Sequence, residues 1–396
     1  MSQSPLQVSR KKRLSRTASS IEPSGIRRFF DLASTMDDCI SLGVGEPDFV
    51  TPWNVREACM TSLEQGYTSY TANAGMIELR SAIARYMLDR FQVTYDPDQE
   101  VLVTVGASEA IDLAVRATID PGDEVLIATP SFVSYQPLVT LAGAEPIPVV
   151  TDADTKFKIT KERLEAAITD RSRAIMLSFP NNPTGAVMNQ EELQAVADVA
   201  EAYDLLVFSD EIYAELNYDA THTAFSALEK MHDRTVLISG FSKAFAMTGW
   251  RLGFVCAPAD ITQAMLKIHQ YSLMCAPTQA QHGALEALQN GQDTVTKMVS
   301  SYRARRNYTV HALNEAGLTC HLPGGSFYAF PSVEATGMDD ETFAEKLLIE
   351  EKVAVVPGSV FGEGGVGHVR CSYATSMDAL QTAMGRLDTF VNRHKK

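Results

Sequence analysis

Short apolar runs and stretches of helical periodicity alternate between residues 101 and 258. The apolar runs are rich in β-branched residues, which is typical of strands that are buried on both faces. Strands of this kind, separated by helices, predict an α/β fold with a mostly parallel central sheet and helices on both faces. We predict six strands, at residues 101–105, 124–128, 174–179, 205–209, 236–239 and 253–257.

Two of the intervening helices are well marked. In residues 108–118, Ala110, Leu113, Ala114 and Ala117 recur at helical spacing and share one face. A second helix is predicted at residues 191–203, after a turn-rich Asn-Pro-Thr-Gly sequence. Both stretches are long enough to cover a sheet.

The C-terminal third has a different pattern, which predicts a smaller α+β domain. One long helical stretch covers residues 279–317, and its arginine run at 303–306 is interpreted as a solvated helix face. Short strands alternate with helices after it. The strands are predicted at 326–330, 353–356 and 368–373, and the helices at 341–350 and 376–391.

Composition narrows the class of protein. The 396 residues include 34 Lys and Arg against 49 Asp and Glu, which gives a net charge of −15. With 45% hydrophobic and 21% charged residues, the chain is not globally disordered. No apolar run approaches the roughly 20 residues that span a bilayer, so we expect no membrane partner. The acidic balance also argues against a nucleic-acid partner.

The first 20 residues differ from the rest. Five basic residues and no acidic one lie between Ser2 and Ser20, and we interpret residues 1–20 as a flexible basic arm. A transit peptide is the alternative, because such segments are rich in Arg and Ser and poor in acids. The six cysteines are scattered and form no C-x-x-C pair, which indicates reduced thiols and a cytoplasmic location.

Candidate chemistry lies where the predicted strands end, because ligands bind beyond the carboxyl ends of such strands. Gly106, Ala107 and Ser108 follow the first strand and open a helix, where small residues let backbone N–H groups approach an anion. Asp210 ends another strand and Tyr213 comes three residues later. Each feature taken alone is equally typical of an ordinary turn or helix cap.

Lys243 follows the strand at 236–239 and has Phe245, Met247 and Trp250 nearby in sequence. An apolar environment lowers the pKa of a lysine, and a neutral amine can form a Schiff base. The match to G-x-G-x-x-G at 362–367 is interpreted as a turn, because it precedes a strand rather than opening a helix. No metal-ligating spacing is found, and we predict no metal site.

Together these motifs resemble the class I/II pyridoxal-phosphate-dependent aminotransferases of fold type I. The order and spacing of the motifs agree from residue 21 onwards, and the likeness is greatest to bacterial alanine-type and broad-specificity enzymes. The matching pieces are Gly-Glu-Pro-Asp-Phe at 45–49, Tyr-Thr-Ala-Asn-Ala-Gly at 70–75, Glu-Leu-Arg at 78–80, Asn-Asn-Pro-Thr-Gly at 181–185, Ser-Asp-Glu-Ile-Tyr at 209–213, the Ser-Lys segment at 242–251 and Arg-Cys-Ser-Tyr at 370–373.

The resemblance implies pyridoxal 5′-phosphate as cofactor. Lys243 would bind it covalently and later move a proton between the substrate Cα and C4′ of the cofactor. Asp210 would keep the pyridine nitrogen protonated, because a nearby carboxylate favours the cation. Tyr213 and Asn182 would bind the ring oxygen O3′, and Phe132 would stack on the ring.

The resemblance also implies the residues that hold the two anionic groups. The cofactor phosphate would meet the helix start at Gly106, Ala107 and Ser108 together with Ser242 and Arg251. The substrate carboxylate would meet Arg370, which binds a carboxylate through two parallel hydrogen bonds.

Contacts with the substrate and with the neighbouring subunit complete the implied site. Val44, Gly45 and Asn182 would contact the substrate, and Ile26 would shape its side-chain pocket as part of a mobile strip. Tyr70 would reach the phosphate of the neighbouring subunit, which implies a homodimer.

The implied domain division is a basic arm at 1–20, a large cofactor-binding α/β domain at 46–285, and a small domain formed by 21–45 and 286–396. The implied reaction moves an amino group from an L-amino acid, with alanine as first choice, to 2-oxoglutarate or pyruvate by a ping-pong mechanism. Strict aspartate specificity is disfavoured, because Ser108 stands where some aspartate-specific relatives have a lysine, and residues 278–282 contain no arginine.

The alternatives are an aromatic, aspartate or N-acetyl-diaminopimelate aminotransferase, or a carbon–sulfur lyase that uses the same lysine and aspartate. A cofactor-sensing transcription regulator is disfavoured, because the roughly 20 residues before the domain are too few for a helix-turn-helix module.

Overall fold

The computed structural model of the chain describes residues 14–23, 25 and 36–395. Its largest sheet is built from strands whose positions follow the apolar runs of the sequence. These strands are β2 Val101–Thr104, β3 Glu124–Thr129, β4 Glu145–Val150, β5 Ser172–Ser178, β6 Leu206–Asp210, β7 Thr235–Gly240 and β8 Gly253–Cys256. They lie in the order β2-β8-β7-β6-β5-β3-β4.

The sheet is mostly parallel, as predicted. The pairs β3–β4, β3–β5, β5–β6 and β6–β7 run parallel. Strand β8 is the exception, because it runs antiparallel to both β2 and β7. Gly253 pairs with Gly240, so the connection at 241–252 begins and ends at the carboxyl edge of β7.

Strand β4 was not among the predicted strands. It contains Pro146 and Pro148, which cannot donate to a neighbouring strand. Among the described residues, β4 is an edge strand that pairs with β3 alone. The prolines occupy alternate positions, so their nitrogens lie on one side of the strand, and that side is the unpaired edge.

Helices cover both faces of the sheet. Val125 and Ile127 of β3 belong to one buried core, with Leu113 of the helix that follows β2. Leu126 belongs to another core, with Val196 of the helix that follows β5. Both helices were predicted from the sequence. The helices in this part of the chain are α1 Arg16–Ser20, α2 Trp53–Glu64, α3 Ile77–Phe91, α4 Gly106–Thr118, α5 Tyr135–Leu141, α6 Lys161–Ala167, α7 Gln190–Ala202 and α8 Ala259–Ser272.

The C-terminal third, together with β1 from near the N-terminus, forms two small sheets packed with helices. The helices are α9 Thr278–Asn290, α10 Gln292–Glu315, α11 Asp340–Glu351 and α12 Met377–His394. The strands are β1 Ile40–Ser41, β9 Tyr328–Ala329, β10 Val353–Ala354, β11 Val356–Pro357 and β12 Val369–Ser372. Strands β1 and β10 pair in parallel, and β12 lies between β11 and β9.

Three details of this region differ from prediction. The long helix at 279–317 is two helices that meet at Gly291, where a Cβ would come within 2.4 Å of the Ala287 carbonyl oxygen. The strand at 353–356 is divided between two sheets. The arginine run is not simply solvated: Arg306 is 3% exposed and pairs with Asp219.

The division into two domains is not tested by these observations and stays a prediction. In the described part of the chain, no helix combines the length and the hydropathy needed to cross a membrane.

Candidate active site

A cavity of about 520 Å³ opens at the carboxyl edge of the large sheet. Its walls come from the end of β6, the connection between β7 and β8, the start of α4, and β12. Most of the residues predicted for the site therefore meet here. The predicted residues that line the cavity are Gly45, Ala107, Ser108, Phe132, Asn182, Asp210, Tyr213, Ser242, Lys243, Arg251 and Arg370.

Three predicted residues are placed differently, and a fourth lies outside the described residues. Gly106 lies behind the wall, where it packs against Arg251. Val44 is 41% exposed, and the ring of Tyr70 points out of the chain with 78% exposure. Ile26 lies outside the described residues, as do residues 1–13 of the predicted arm.

Lys243 places its amine in the cavity. The Nζ atom donates a hydrogen bond of 2.5 Å to the Gly45 carbonyl oxygen and lies 5.7 Å from the centre of the Tyr213 ring. Burial lowers the pKa of Lys243 to about 8; the negative charges of Glu46 and Asp210 oppose this shift, and the positive charges of Arg370 and Arg251 add to it. A substantial fraction of the amine is therefore neutral near pH 8, which is the nucleophilic form.

Asp210 lies at the end of β6 and is buried. Oδ2 accepts a hydrogen bond of 2.6 Å from the Tyr135 hydroxyl, and Oδ1 accepts one from the Ile212 backbone N–H at 3.1 Å. Burial raises the pKa of Asp210 to about 6, while these two hydrogen bonds lower it. At neutral pH the group is thus a carboxylate that favours a cation beside it.

One end of the cavity is suited to a phosphate. Helix α4 begins there without a side-chain cap, so the N–H groups of its first turn have no intrahelical partner. The Arg251 guanidinium adds positive charge. At Gly106, whose φ is +79°, a Cβ would come within 2.7 Å of Arg251 Nη2, so glycine is what allows the guanidinium to approach the helix start.

The other end is suited to a carboxylate. Arg370 is 3% exposed; its Nη1 donates to Asn182 Oδ1 at 2.9 Å, and its Nη2 donates to the Gly43 carbonyl oxygen at 2.6 Å. Its Nε is buried without a hydrogen-bond partner, and within the described residues Arg370 has no carboxylate partner. A buried guanidinium that lacks a counter-ion favours binding of an anion.

Two tyrosines at the site were missed in the sequence. Tyr135 begins α5 three residues after Phe132, inside the segment that supplies the stacking ring, and this position was the available signal. Tyr328 lies in β9; its hydroxyl is 3.0 Å from that of Tyr213, and its ring centre is 4.5 Å from the Arg370 guanidinium carbon. No local signal marks Tyr328, because the pairing of β9 with β12 brings it to the site.

This set of groups fits pyridoxal phosphate. A lysine amine faces the cavity, and a buried carboxylate can pair with the ring nitrogen. The uncapped helix start and Arg251 can hold the phosphate, while Arg370 is left for the carboxylate of the substrate.

Comparisons with known proteins agree with this geometry. The family model for aminotransferase class I and II matches residues 37–387. YugH of Bacillus subtilis, whose name assigns it provisionally to the aminotransferases, is 60% identical over 373 residues, covering 94% of this chain and 97% of YugH. The aspartate aminotransferase of Pyrococcus abyssi is 43% identical over 379 residues, covering 95% of this chain and 97% of that enzyme.

A solved structure extends the agreement to the fold. The aromatic aminotransferase of Pyrococcus horikoshii superposes with a TM-score of 0.89 at 42% identity, covering 92% of this chain and 99% of that one. The resemblance, the fold type and the cofactor predicted from the sequence are thereby confirmed. The chain belongs to the class I and II aminotransferases and is a pyridoxal-phosphate-dependent transaminase of fold type I.

Proposed function

We propose that this transaminase interconverts alanine and pyruvate as one of its two substrate pairs. The observation that carries the proposal is the set of cations in the cavity. Among the described residues that line it, the cations are Lys243, Arg251 and Arg370. Each has a task in binding the cofactor or the α-carboxylate, so none is left for a second carboxylate on the substrate.

We propose 2-oxoglutarate and glutamate as the second pair, exchanged by a ping-pong mechanism. On the same argument, the extra carboxylate of 2-oxoglutarate is poorly matched within one subunit. We therefore expect a higher KM for 2-oxoglutarate than for pyruvate.

Aromatic donors are the second candidate. Ile111 contributes apolar surface to the cavity in addition to the Phe132 ring assigned to the cofactor, and a related structure is named an aromatic aminotransferase. The name of the Pyrococcus abyssi relative favours aspartate instead, which is the donor that the cation argument disfavours.

The bound cofactor supplies an electron sink for the carbanion at the substrate Cα. The chain supplies the rest. Arg370 holds the substrate carboxylate and so fixes which Cα bond faces the lysine. The Lys243 amine would accept the proton from the substrate Cα and donate it to C4′ of the cofactor. Asp210 would keep the proton on the ring nitrogen, and the Tyr213 hydroxyl would donate to the ring oxygen O3′.

We propose a homodimer, because Tyr70 has 78% of its surface exposed although the resemblance gives it a role at a phosphate. A neighbouring subunit would provide that phosphate. The cytoplasmic location also stays a prediction.

The experiment is a donor panel of alanine, aspartate, phenylalanine and tyrosine, each with pyruvate or 2-oxoglutarate, omitting the degenerate pair of alanine with pyruvate, and ranked by kcat/KM. Alanine is expected to lead with 2-oxoglutarate as acceptor. A lead for aspartate would overturn the cation argument. Pyruvate and ammonia released from cystathionine without any 2-oxo acid would support the lyase alternative instead.

A further inference from the structure

A buried pair of side chains braces the first turn of α4 from behind. Glu109 lies in that turn, and its Oε2 accepts a hydrogen bond of 2.5 Å from the backbone N–H of Val105, the residue before the helix. Its Oε1 lies 2.6 Å from Nδ1 of His269, in the last turn of α8. The His269 side chain is 0% exposed and that of Glu109 is 10% exposed.

The direction of the second hydrogen bond follows from the acceptor. A carboxylate oxygen accepts and does not donate, so Nδ1 is the ring nitrogen that carries the proton. The other ring nitrogen, Nε2, is buried and has no hydrogen-bond partner among the described residues. Among the described residues, the His269 ring therefore makes one hydrogen bond, from Nδ1 to Glu109.

The hydrogen bonds of Glu109 lie next to the end of the cavity that is suited to a phosphate. Val105, Gly106, Ala107 and Ser108 form the bend from β2 into α4, and Ala107 and Ser108 line the cavity. Glu109 ties the start of that bend to the helix. A carboxylate one turn from a bound phosphate would also repel it, unless a donor holds the carboxylate on the far side. His269 is that donor.

We propose that His269 is a positioning residue for the cofactor phosphate, acting through Glu109 on the backbone N–H groups of Ala107 and Ser108. The inference rests on the placement of the phosphate at α4 under the proposed function. It assigns His269 no contact with the cofactor or substrate.

The test compares cofactors with and without the phosphate. Full-length apoenzyme is titrated with pyridoxal phosphate and with pyridoxal, for wild type, His269→Asn and His269→Gln. The asparagine amide can replace Nδ1 as donor, whereas the glutamine amide corresponds to Nε2, which has no partner to lose. We expect pyridoxal phosphate to bind His269→Gln about tenfold more weakly, His269→Asn within about threefold of wild type, and pyridoxal to bind all three alike.

Two results would overturn the proposal. One is an equal loss in the asparagine and glutamine variants, and the other is an equal loss for both ligands, since a general defect in packing does not distinguish a phosphate. The rate at which the cofactor leaves each holoenzyme gives a second readout, and it should rise in His269→Gln alone.

An Arg251→Ala control tests separately whether the phosphate binds at the start of α4, which is the assumption on which the His269 proposal rests. If the phosphate does bind at α4, Arg251→Ala loses affinity for pyridoxal phosphate and not for pyridoxal. If Arg251→Ala shows that selectivity while His269→Gln matches wild type, the placement stands and the role of His269 is wrong. If Arg251→Ala shows no selectivity, the placement itself is wrong and the His269 proposal fails with it.

Discussion

The Tyr135 hydroxyl donates a hydrogen bond of 2.6 Å to Oδ2 of Asp210 beneath the cavity. This bond lowers the pKa of Asp210, against burial that raises it to about 6. Removing the hydroxyl should therefore let the pKa of Asp210 rise further. Sequence analysis assigned no role to Tyr135.

The Tyr135→Phe variant tests this relationship. We expect the acid limb of its kcat/KM profile to move to higher pH by about one unit, since a hydrogen bond to a charged group has about that effect on a pKa. The profile is measured with the best donor from the panel. An acid limb at the wild-type pH would show that Tyr135 does not tune Asp210.

Asp210→Asn gives a prediction for stability. The pKa of Asp210 is raised by burial from its usual 3.8 to about 6, so the folded apoenzyme holds this proton more tightly than the unfolded chain does. Ionisation of Asp210 therefore costs stability as the pH rises through this window, and the full cost is present above about pH 6.

The Asp210→Asn apoenzyme should thus be more stable than wild type by about 3 kcal/mol above that window, and should lose the advantage below about pH 4. Urea unfolding at one pH on each side of the window measures the difference. A gain that is the same at both pH values would contradict burial as its cause. Turnover of the variant should be nearly abolished.

Lys243→Ala should remove the absorbance of the covalently bound cofactor and nearly all turnover. In wild-type apoenzyme, the rate of covalent attachment should rise with pH and reach half its maximum near pH 8, because burial lowers the pKa of Lys243 to about 8 and the neutral amine attacks. Ser242→Ala alters a residue assigned to the phosphate but keeps the amine, and at saturating cofactor it should keep the absorbance. A normal spectrum in Lys243→Ala would refute the site.

Ser108→Lys tests the cation argument for the substrate. A lysine here would add a positive charge to the cavity. The cations among its described lining residues are already assigned to the cofactor or to the substrate α-carboxylate. We expect the ratio of kcat/KM for aspartate to that for alanine to rise at least about tenfold, as an added charge pair at a site allows. Ser108→Met, of similar length without the charge, is the control. An equal ratio in both variants would show that charge is not decisive.

A hybrid dimer tests the exposed Tyr70. If Tyr70 acts in the partner's site, a dimer of one Tyr70→Phe and one Lys243→Ala subunit contains one complete site. Random mixing of equal amounts should then restore about a quarter of wild-type activity, because half of the dimers are hybrids with one such site each. Activity no higher than the mean of the two parents would place Tyr70 in its own subunit's site or in neither.

The sequence was most informative where burial of a segment determines both its local hydrophobic pattern and its structure. The six predicted strands lie within two residues of observed ones, because continuous apolar runs are what burial on both faces requires. Asp210, Lys243 and Ser108 meet because parallel strands bring their carboxyl ends to one edge, which the order of motifs already implied.

The remainder depended on distant partners. The strand β4 was not predicted, because Pro146 and Pro148 are unusual inside a strand. They are compatible with β4 because it lies at the edge of the sheet. The burial of Arg306 requires Asp219, far away in sequence, and periodicity cannot supply such a partner. Likewise, β9 has two residues, and only its pairing with β12 brings Tyr328 to Arg370.

The reversed direction of β8 has a consequence for the length of the connection before it. Because the chain returns through the sheet, Lys243 and Arg251 stand on one loop, eight positions apart. On the proposed assignment they hold two neighbouring substituents of one small molecule, the aldehyde carbon C4′ and the phosphate. The number of residues between them is then matched to the size of that molecule. Inserting or deleting a single residue between Lys243 and Arg251 would shift one of them relative to the other and so disable cofactor binding, although every site residue would still be present in the sequence.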